Sequence, residues 1–434
     1  MKTEGNTALS HEVLYLQTGD KDIVPEKAAK LWGRDFSLLV IGQTVSIFGN
    51  MILSFALPLY ILYISNSPAL FGFVLGISNI PLFLMSPIGG IIADRFRKQR
   101  IMFWLDTITT AIIVAYIIAS GFLIAVVPIV IVKLMALNSI QAVYMSSVQA
   151  AIPSLVPKGK IVTANSVAQL VNSFSNMAGM AVAGVLFAGF GLMPILVVSA
   201  VCFAITAVMD LFIRIPYKKQ ESTGGMIKIV KSDVSMAARF MFRERPIIAR
   251  AALIGFMFSL TLMSMIIVGV PVLITQHLGM SMDYVGISQS IMLGGGLVGG
   301  IFAGVFGSKL KFENAYLILT AAGLMIVPIG IALLVGMPAF SAYLVITIAG
   351  ALTTALIMPA NILIISYVQA ETPVELIGKV MSLIVVIPFI GNALGQLLYG
   401  VVFEWLYTIP WAAVFATVVL TLLAGLYTRV YFKE

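Results

Sequence analysis

The sequence predicts an all-α membrane protein: twelve transmembrane helices in two six-helix bundles. Three observations lead there. Of 434 residues, 60% are apolar and only 10% charged, against roughly 45–50% and about 25% in soluble domains, so too few charges exist to cover an aqueous surface. Apolar runs of about 20 residues, long enough to cross a hydrocarbon core of about 30 Å as helices, recur twelve times. Of the 26 Lys and Arg residues, all but Lys133 fall in connecting segments on one side, and the opposite loops carry none. That is the positive-inside pattern, with both termini cytoplasmic.

The spans are read at 36–63, 70–93, 101–120, 126–152, 163–188, 194–213, 248–275, 284–307, 315–336, 340–366, 380–402 and 410–429. Each is expected to be helical, because a helix pairs its own backbone groups where no water can. Span one carries Gln43, Ser46, Asn50 and Ser54 on one stripe. Span two stops at "GGIIADRFRKQR" (89–100), where Asp94, Arg95, Arg97, Lys98 and Arg100 crowd into seven positions. Span three holds Asp106, and span four holds Lys133 with Asn138, Gln141 and Gln149. In span five Asn165, Gln169, Asn172 and Asn176 recur at i, i+4, i+7 and i+11, one narrow helical stripe. Span six contains the single cysteine, Cys202, which excludes an intramolecular disulfide and reads as a small core residue. The connection 214–247 is the longest and divides six spans from six. From Lys228 to Arg245 it reads as an amphipathic helix, with Ile229, Val230, Met236, Phe240 and Met241 on its apolar side, expected along the membrane surface. Spans seven to twelve repeat the pattern, and span eleven carries Asn392, Gln396 and Tyr399.

The expected organisation is a cytoplasmic tail (1–35), a first bundle (36–213), the linker (214–247) and a second bundle (248–430). The tail is polar and mixed in charge, with no apolar core of a cleaved signal. The halves echo each other. "GGIIADRFRKQR" at 89 returns as "GGIFAGVFGSKLK" at 299, with Gly304 in place of the acid. "LVPKGKIVTANS" (155–166) has a fainter partner in "AETPVELIGKVMS" (370–382). A parallel repeat of two six-span halves is the plan of alternating-access transporters, with the substrate between the halves near the midplane.

These features resemble the major facilitator superfamily, whose signature after span two is a Gly, three intervening residues, Asp-Arg and further basic positions. Gly90, Asp94, Arg95, Lys98 and Arg100 supply it, with Arg97 where many members have Gly. The stretch "AAIPSLVPKGKIVTANSVAQ" (150–169) is similar to the macrolide-efflux and siderophore-export branch. The resemblance implies the major facilitator fold and a conformational gate. Asp94 would sit beside the N-terminus of span eleven, near Gly378, and neighbouring basic residues would pair with acids across the half-interface when the cytoplasmic side closes. An acid at the end of its own helix is poorly placed against that helix's dipole, so Asp94 needs partners elsewhere. Arg97 and Lys98 also read as topology determinants among headgroups. One departure is "AGMAVAG" (178–184), with Met180 where antiporters of the family often carry proline.

Charges inside spans are candidates for function. Asp106 is expected either to carry a coupling proton or to join the network of Asp94 and Arg100. Lys133 either lines the cavity and attracts an anionic group, or snorkels to the nearby interface. Gln43, Asn50, Asn138, Gln141, Gln169, Asn172, Asn176, Asn392 and Gln396 either line the cavity or bond between helices. Glu404 reads as a loop residue. With 23 Met, 26 Phe and 14 Tyr, the walls suit an amphipathic organic substrate.

No H-E-x-x-H, G-x-S-x-G or G-x-x-x-x-G-K-[ST] motif occurs, so neither an enzyme nor an ATP-driven pump is expected, and no cofactor or metal. The net charge of +8 reads as topology bias and contact with anionic lipid headgroups, not as a nucleic-acid footprint. The expected function is a secondary active exporter of small amphipathic compounds, of macrolide or multidrug type, with protons as the candidate coupling ion. It is expected to be a monomeric multi-pass protein of a bacterial inner or plasma membrane. A siderophore, lipid or metabolite carrier and a transport-inactive sensor are the alternatives.

Overall fold

The structure, a computed structural model, describes residues 31–119, 126–215, 226–306, 315–373 and 376–431. The expected tail 1–30, Lys309 and Lys311 lie outside the described residues, as do the side chains of Asp94, Ile229 and Val230.

Among the described residues twelve helices form the body: α1 (Arg34–Ser65), α2 in two pieces (Pro68–Ser78 and Ile80–Arg95), α3 (Lys98–Ala119), α4 (Val126–Leu155), α5 (Ile161–Phe190) and α6 (Leu192–Phe212), then α7 (Pro246–His277), α8 (Met282–Phe306), α9 (Ala315–Leu334), α10 (Ala339–Glu371), α11 (Ile377–Trp405) and α12 (Pro410–Tyr431). Ten are long and apolar enough to cross a membrane, while α2 and α12 contribute shorter apolar stretches, Pro68–Leu82 and Pro410–Leu426. Span two, expected to be continuous, is instead broken at Asn79. Pro81 explains the break: it has no N–H for the carbonyl four residues back, and its ring crowds that turn.

In the first half α1 packs on α5 and α6, α3 on α6 and α4, and the second piece of α2 on α4. In the second half α8 packs on α10, α7 on α11, and α9 between α10 and α12. We call the side where α1 begins the terminal face and the other the far face. The halves join along two antiparallel pairs, α11 with the first piece of α2, and α5 with α8. Small residues let backbones touch there, as in tightly packed membrane helices. A Cβ at Gly72 would strike the Gln396 carbonyl, and one at Gly286 would lie 2.6 Å from the Met180 carbonyl.

The linker helix (Met226–Arg239) continues into a π-helical turn, Phe240–Glu244. Its apolar side, expected along the membrane surface, faces protein instead. Ala237, Phe240 and Met241 are buried with Ile248 and Ala252 of α7, Val368 of α10, and Val380 and Ile384 of α11, while Met236 stays exposed. Asp233 pairs with Lys379 at 2.8 Å and Arg245 with Glu371 at 3.1 Å. The packing removes Phe240 and Met241 from water, and the ion pairs tie this segment to α10 and α11.

Candidate transport pathway

Close backbone approaches between the halves, Gly72 to Gln396 and Gly400 and Gly184 to Gly286, lie toward the far face. One apolar cluster runs across both halves there, with Leu59, Leu62, Phe71 and Phe187 from the first and Ile266, Val270, Ile274 and Phe403 from the second. Burial of such side chains is worth about 1.5–3 kcal/mol each in water. In lipid the gain comes mainly from packing. Below the plug sits a small central pocket of about 80 Å³, lined by Ser54, Phe55 and Pro58 of α1, Phe71 and Leu75 of α2, Met180 of α5, Ile267 and Pro271 of α7, and Gln289 of α8. Above it opens a far-face vestibule of about 1060 Å³, walled by Tyr60, Tyr63, Phe187, Thr275, Gln276 and Tyr407 among others. The plug therefore separates two cavities on one axis between the halves.

Polar groups fasten the closed side. Glu404, read from sequence as a loop residue, corrects that reading: its Oε2 accepts hydrogen bonds from the Ser67 hydroxyl and from the Ala69 N–H at 2.9 Å. It thus caps the N-terminus of α2 from the end of α11. A carboxylate is favoured at that end of a helix because unpaired N–H groups and the dipole both attract it. Deeper in, Asn79 at the break in α2 donates to Leu75 O at 3.0 Å and to Gln396 Oε1 at 3.3 Å, and Gln396 Nε2 donates to Asn392 Oδ1. Asn138 donates to Ser78 O at 2.6 Å. These bonds link α4, α2 and α11 across the half-interface. Across the other pair the Ser290 hydroxyl reaches Met177 O at 2.8 Å.

Helix α7 borders both cavities and contains three π-helical turns, Ser259–Met263, Met265–Gly269 and Leu273–His277. Such turns mark strained or functional stretches. Ser264 Oγ lies 3.0 Å from Ser259 O and 3.1 Å from Asn392 O, so it serves a loosened carbonyl and the neighbouring helix at once. His277 packs its ring on Tyr407, 5.1 Å between centroids.

The remaining residues singled out from sequence divide as follows. Asn172 and Asn176 bond each other at 2.6 Å, Gln169 is exposed, and Asn50 and Gln141 are half-buried. Gly90 and Gly378 have open space around them; Arg95 and Arg100 are exposed and Lys98 half-buried at the terminal face. Gln43 is buried inside the first half instead of facing the central pocket. Lys133 neither lines that pocket nor snorkels. It is 4% exposed, its Nζ has no hydrogen-bond partner, and it lies 3.9 Å from the centre of the Tyr116 ring beside an apolar groove between α3 and α4. The physical reason is position: Lys133 falls on the face of α4 turned to Ile113 and Tyr116, where a cation–π contact is its one compensation. Because an unpaired buried cation is costly, Lys133→Met should raise the melting temperature of the purified protein in detergent. A lower one would mean that the ring contact outweighs the buried charge.

Asp106 is 2% exposed and turned inward, against the hydroxyls of Ser46 on α1 and Thr206 on α6. It therefore stands away from exposed Arg100. Its electrostatic neighbour is Asp210 on α6, 1% exposed, which the sequence reading does not single out although it lies within span six. The signal that could have found it is an acid four residues after Thr206 in an otherwise apolar run. Tyr144 of α4 completes the group.

Two six-helix halves joined by antiparallel pairs around a central pocket define a membrane-transporter fold. The chain belongs to the Major Facilitator Superfamily, which it matches over residues 39–396. Among relatives, macrolide efflux protein A of Streptococcus pyogenes is 21% identical over 294 residues, 67% of this chain and 70% of that protein. Among solved structures, the nucleoside transporter NupG has a TM-score of 0.70 at 16% identity, over 91% of this chain and 99% of that one. A bacterial homologue of the human lysosomal transporter Spinster, in an inward-facing and unoccupied conformation, has a TM-score of 0.67 at 15% identity, over 96% and 98%. At these identities the structures show the fold alone.

Proposed function

We propose that this transporter exports small amphipathic organic compounds by alternating access, driven by a cation gradient. The observation that carries the reading is the central pocket: eight of its ten wall residues are apolar, with Met180 and two phenylalanines, and only Ser54 and Gln289 offer polar contacts. Such walls suit the apolar part of an amphipathic ligand better than a sugar or an inorganic ion; at about 80 Å³ the pocket is contracted in this state and must widen to admit one. The likeness to a macrolide efflux protein supports the same substrate class and the outward direction.

The basic terminal face is read as cytoplasmic, in a bacterial cell membrane. With the far side plugged, the protein then stands closed to the outside. A terminal-face groove of about 550 Å³, lined by Arg95, Arg97, Arg100, Phe96 and Trp104, offers positive charge and aromatic anchors to an anionic lipid headgroup. Asp94 remains the proposed partner of the α11 N-terminus when this face closes.

The test is a proteoliposome assay with a macrolide and with a lipophilic cationic dye. Wild-type protein should move at least one of them faster when a proton or sodium gradient is imposed. Transport indifferent to both gradients would remove the secondary-transport reading. A protein that carries only nucleosides, sugars or metal ions would remove the substrate class.

A further inference from the structure

The first half encloses a buried polar cluster that the transport pathway does not use. Helices α1, α3, α4 and α6 converge on it. Asp106 and Asp210 are both nearly fully buried, as are Ser46, Thr206, Tyr144 and Gln43. One oxygen of each carboxylate, Gln43 Oε1, Thr109 Oγ1 and the Tyr144 hydroxyl are buried without any hydrogen-bond partner. Three of these five are acceptor-only oxygens, two of them carboxylate, beside two hydroxyls.

Two carboxylates cannot stay charged in a dry interior without a positive partner. No Lys or Arg is among the groups acting on either of them, and the ion pairs Arg245–Glu371 and Lys379–Asp233 lie elsewhere. The elements around the pair bring hydroxyls and an amide: Gln43 and Ser46 from α1, Thr109 from α3, Tyr144 from α4, Thr206 from α6. All these donors present oxygen, the ligand of hard cations. Among the described residues no group of three or more His, Cys, Asp or Glu gathers, which a transition-metal site would need.

We propose that this cluster binds one sodium-class monovalent cation, held by Asp106 and Asp210 with neutral oxygens from Ser46, Thr206 and Gln43. The Thr206 hydroxyl donates to the carbonyls of Cys202 and Phe203, which leaves its oxygen lone pairs for an ion, and the Ser46 hydroxyl stands beside Asp106. Asp106 stands eight residues into α3, about 12 Å from the terminal face, and Asp210 lies two residues from the end of α6. The pair therefore lies near the terminal face, the side from which an ion has the shorter distance to travel. Because it touches α1 and α6 together, an ion there couples the central helix of the first half to its outer wall. Its link to transport rests on the function proposed above; its chemistry does not.

The experiment is thermal unfolding of the full-length protein in detergent, with sodium or lithium chloride exchanged for choline chloride at constant ionic strength, at about pH 8.5 and about pH 6, either side of the range in which buried carboxylates take up protons. Sodium or lithium should raise the melting temperature saturably, and more weakly at the lower pH, where protons compete for the carboxylates. Asp106→Asn and Asp210→Asn should melt as wild type does in choline and lose the response; Ser46→Ala should need more sodium for half the effect. No alkali-cation response, with a dependence on pH alone, would overturn the proposal in favour of a proton site. A saturable response to magnesium or calcium in place of sodium would overturn the monovalent class. Where both variants fail to fold, absence of the wild-type sodium response by itself decides against it. Failure of this binding test leaves the exporter reading standing, and failure of the dye assay leaves the ion site standing.

Discussion

Gly72→Ala is expected to hold the far face open and to slow transport by about 5- to 150-fold. The methyl group would meet the backbone carbonyl of Gln396 and lie 2.9 Å from the Gly400 Cα. Backbone cannot rotate aside as a long side chain can, so α2 and α11 must separate. Overpacking of this kind costs about 1–3 kcal/mol, which in a two-state transporter is subtracted from the closed state alone. Gly286→Ala should act the same way on the α5–α8 pair, where the Cβ would lie 2.6 Å from Met180 O and 2.8 Å from the Gly184 Cα. Gly42→Ala, with nothing within 4 Å of its Cβ, is the control and should transport normally. Spin labels at Tyr63→Cys and Tyr407→Cys, both exposed at the far face, read the outcome in a background lacking Cys202. A longer label distance in Gly72→Ala is the expected result, and an unchanged distribution would show that the crossing does not limit closure.

Glu404→Ala and Asp94→Asn are expected to push the same equilibrium in opposite directions. Glu404 ends α11 and caps the start of α2. Asp94 ends α2 and, by the proposed gate, caps the start of α11 when the terminal face closes. The helices are antiparallel, so the two acids belong to opposite ends of one pair, and in the proposed gate each would cap the other helix's N-terminus. Loss of Glu404 should shift the population about two- to fivefold toward the far-open state, since an exposed capping acid contributes about 0.5–1 kcal/mol. Loss of Asp94 should enrich the far-closed state and slow turnover severalfold. The same Tyr63–Tyr407 labels report both. Shifts of equal sign would dismiss the reciprocal arrangement, whereas a silent Glu404→Ala would show that its cap on α2 does not hold the far face shut.

The fold was legible in the sequence to a large degree, because lipid leaves a chain few choices. Every predicted span corresponds to helical structure, and two interruptions within them, at Asn79 in α2 and at Met325–Ile326 in α9, each precede a proline, Pro81 and Pro328. The site was legible only in part. The amides were visible, but not which of their two roles each would take. Gln396 bonds across the half-interface to Asn79 and is held by Asn392 of its own helix, Asn138 ties α4 to α2, and Gln43 turns away into the first half. Periodicity places a side chain on a stripe. It does not say which neighbour that stripe will meet.

Composition, span length and basic-residue bias by themselves determined a twelve-helix membrane protein and its division into six and six, and the resemblance of the motifs at 89–100 and 150–169 pointed to its superfamily, since each depends on local hydrophobicity, on charge or on a contiguous stretch. Tertiary structure alone decided that Glu404 fastens α11 to α2, that the linker helix lies on the second half, that Lys133 is shut against Tyr116, and that Asp106 meets Asp210 rather than Arg100. Those facts depend on distance between residues far apart in the chain. Helix packing sets that distance through small residues such as Gly72, Gly184, Gly286 and Gly400, whose importance lies in what their missing side chains allow to approach.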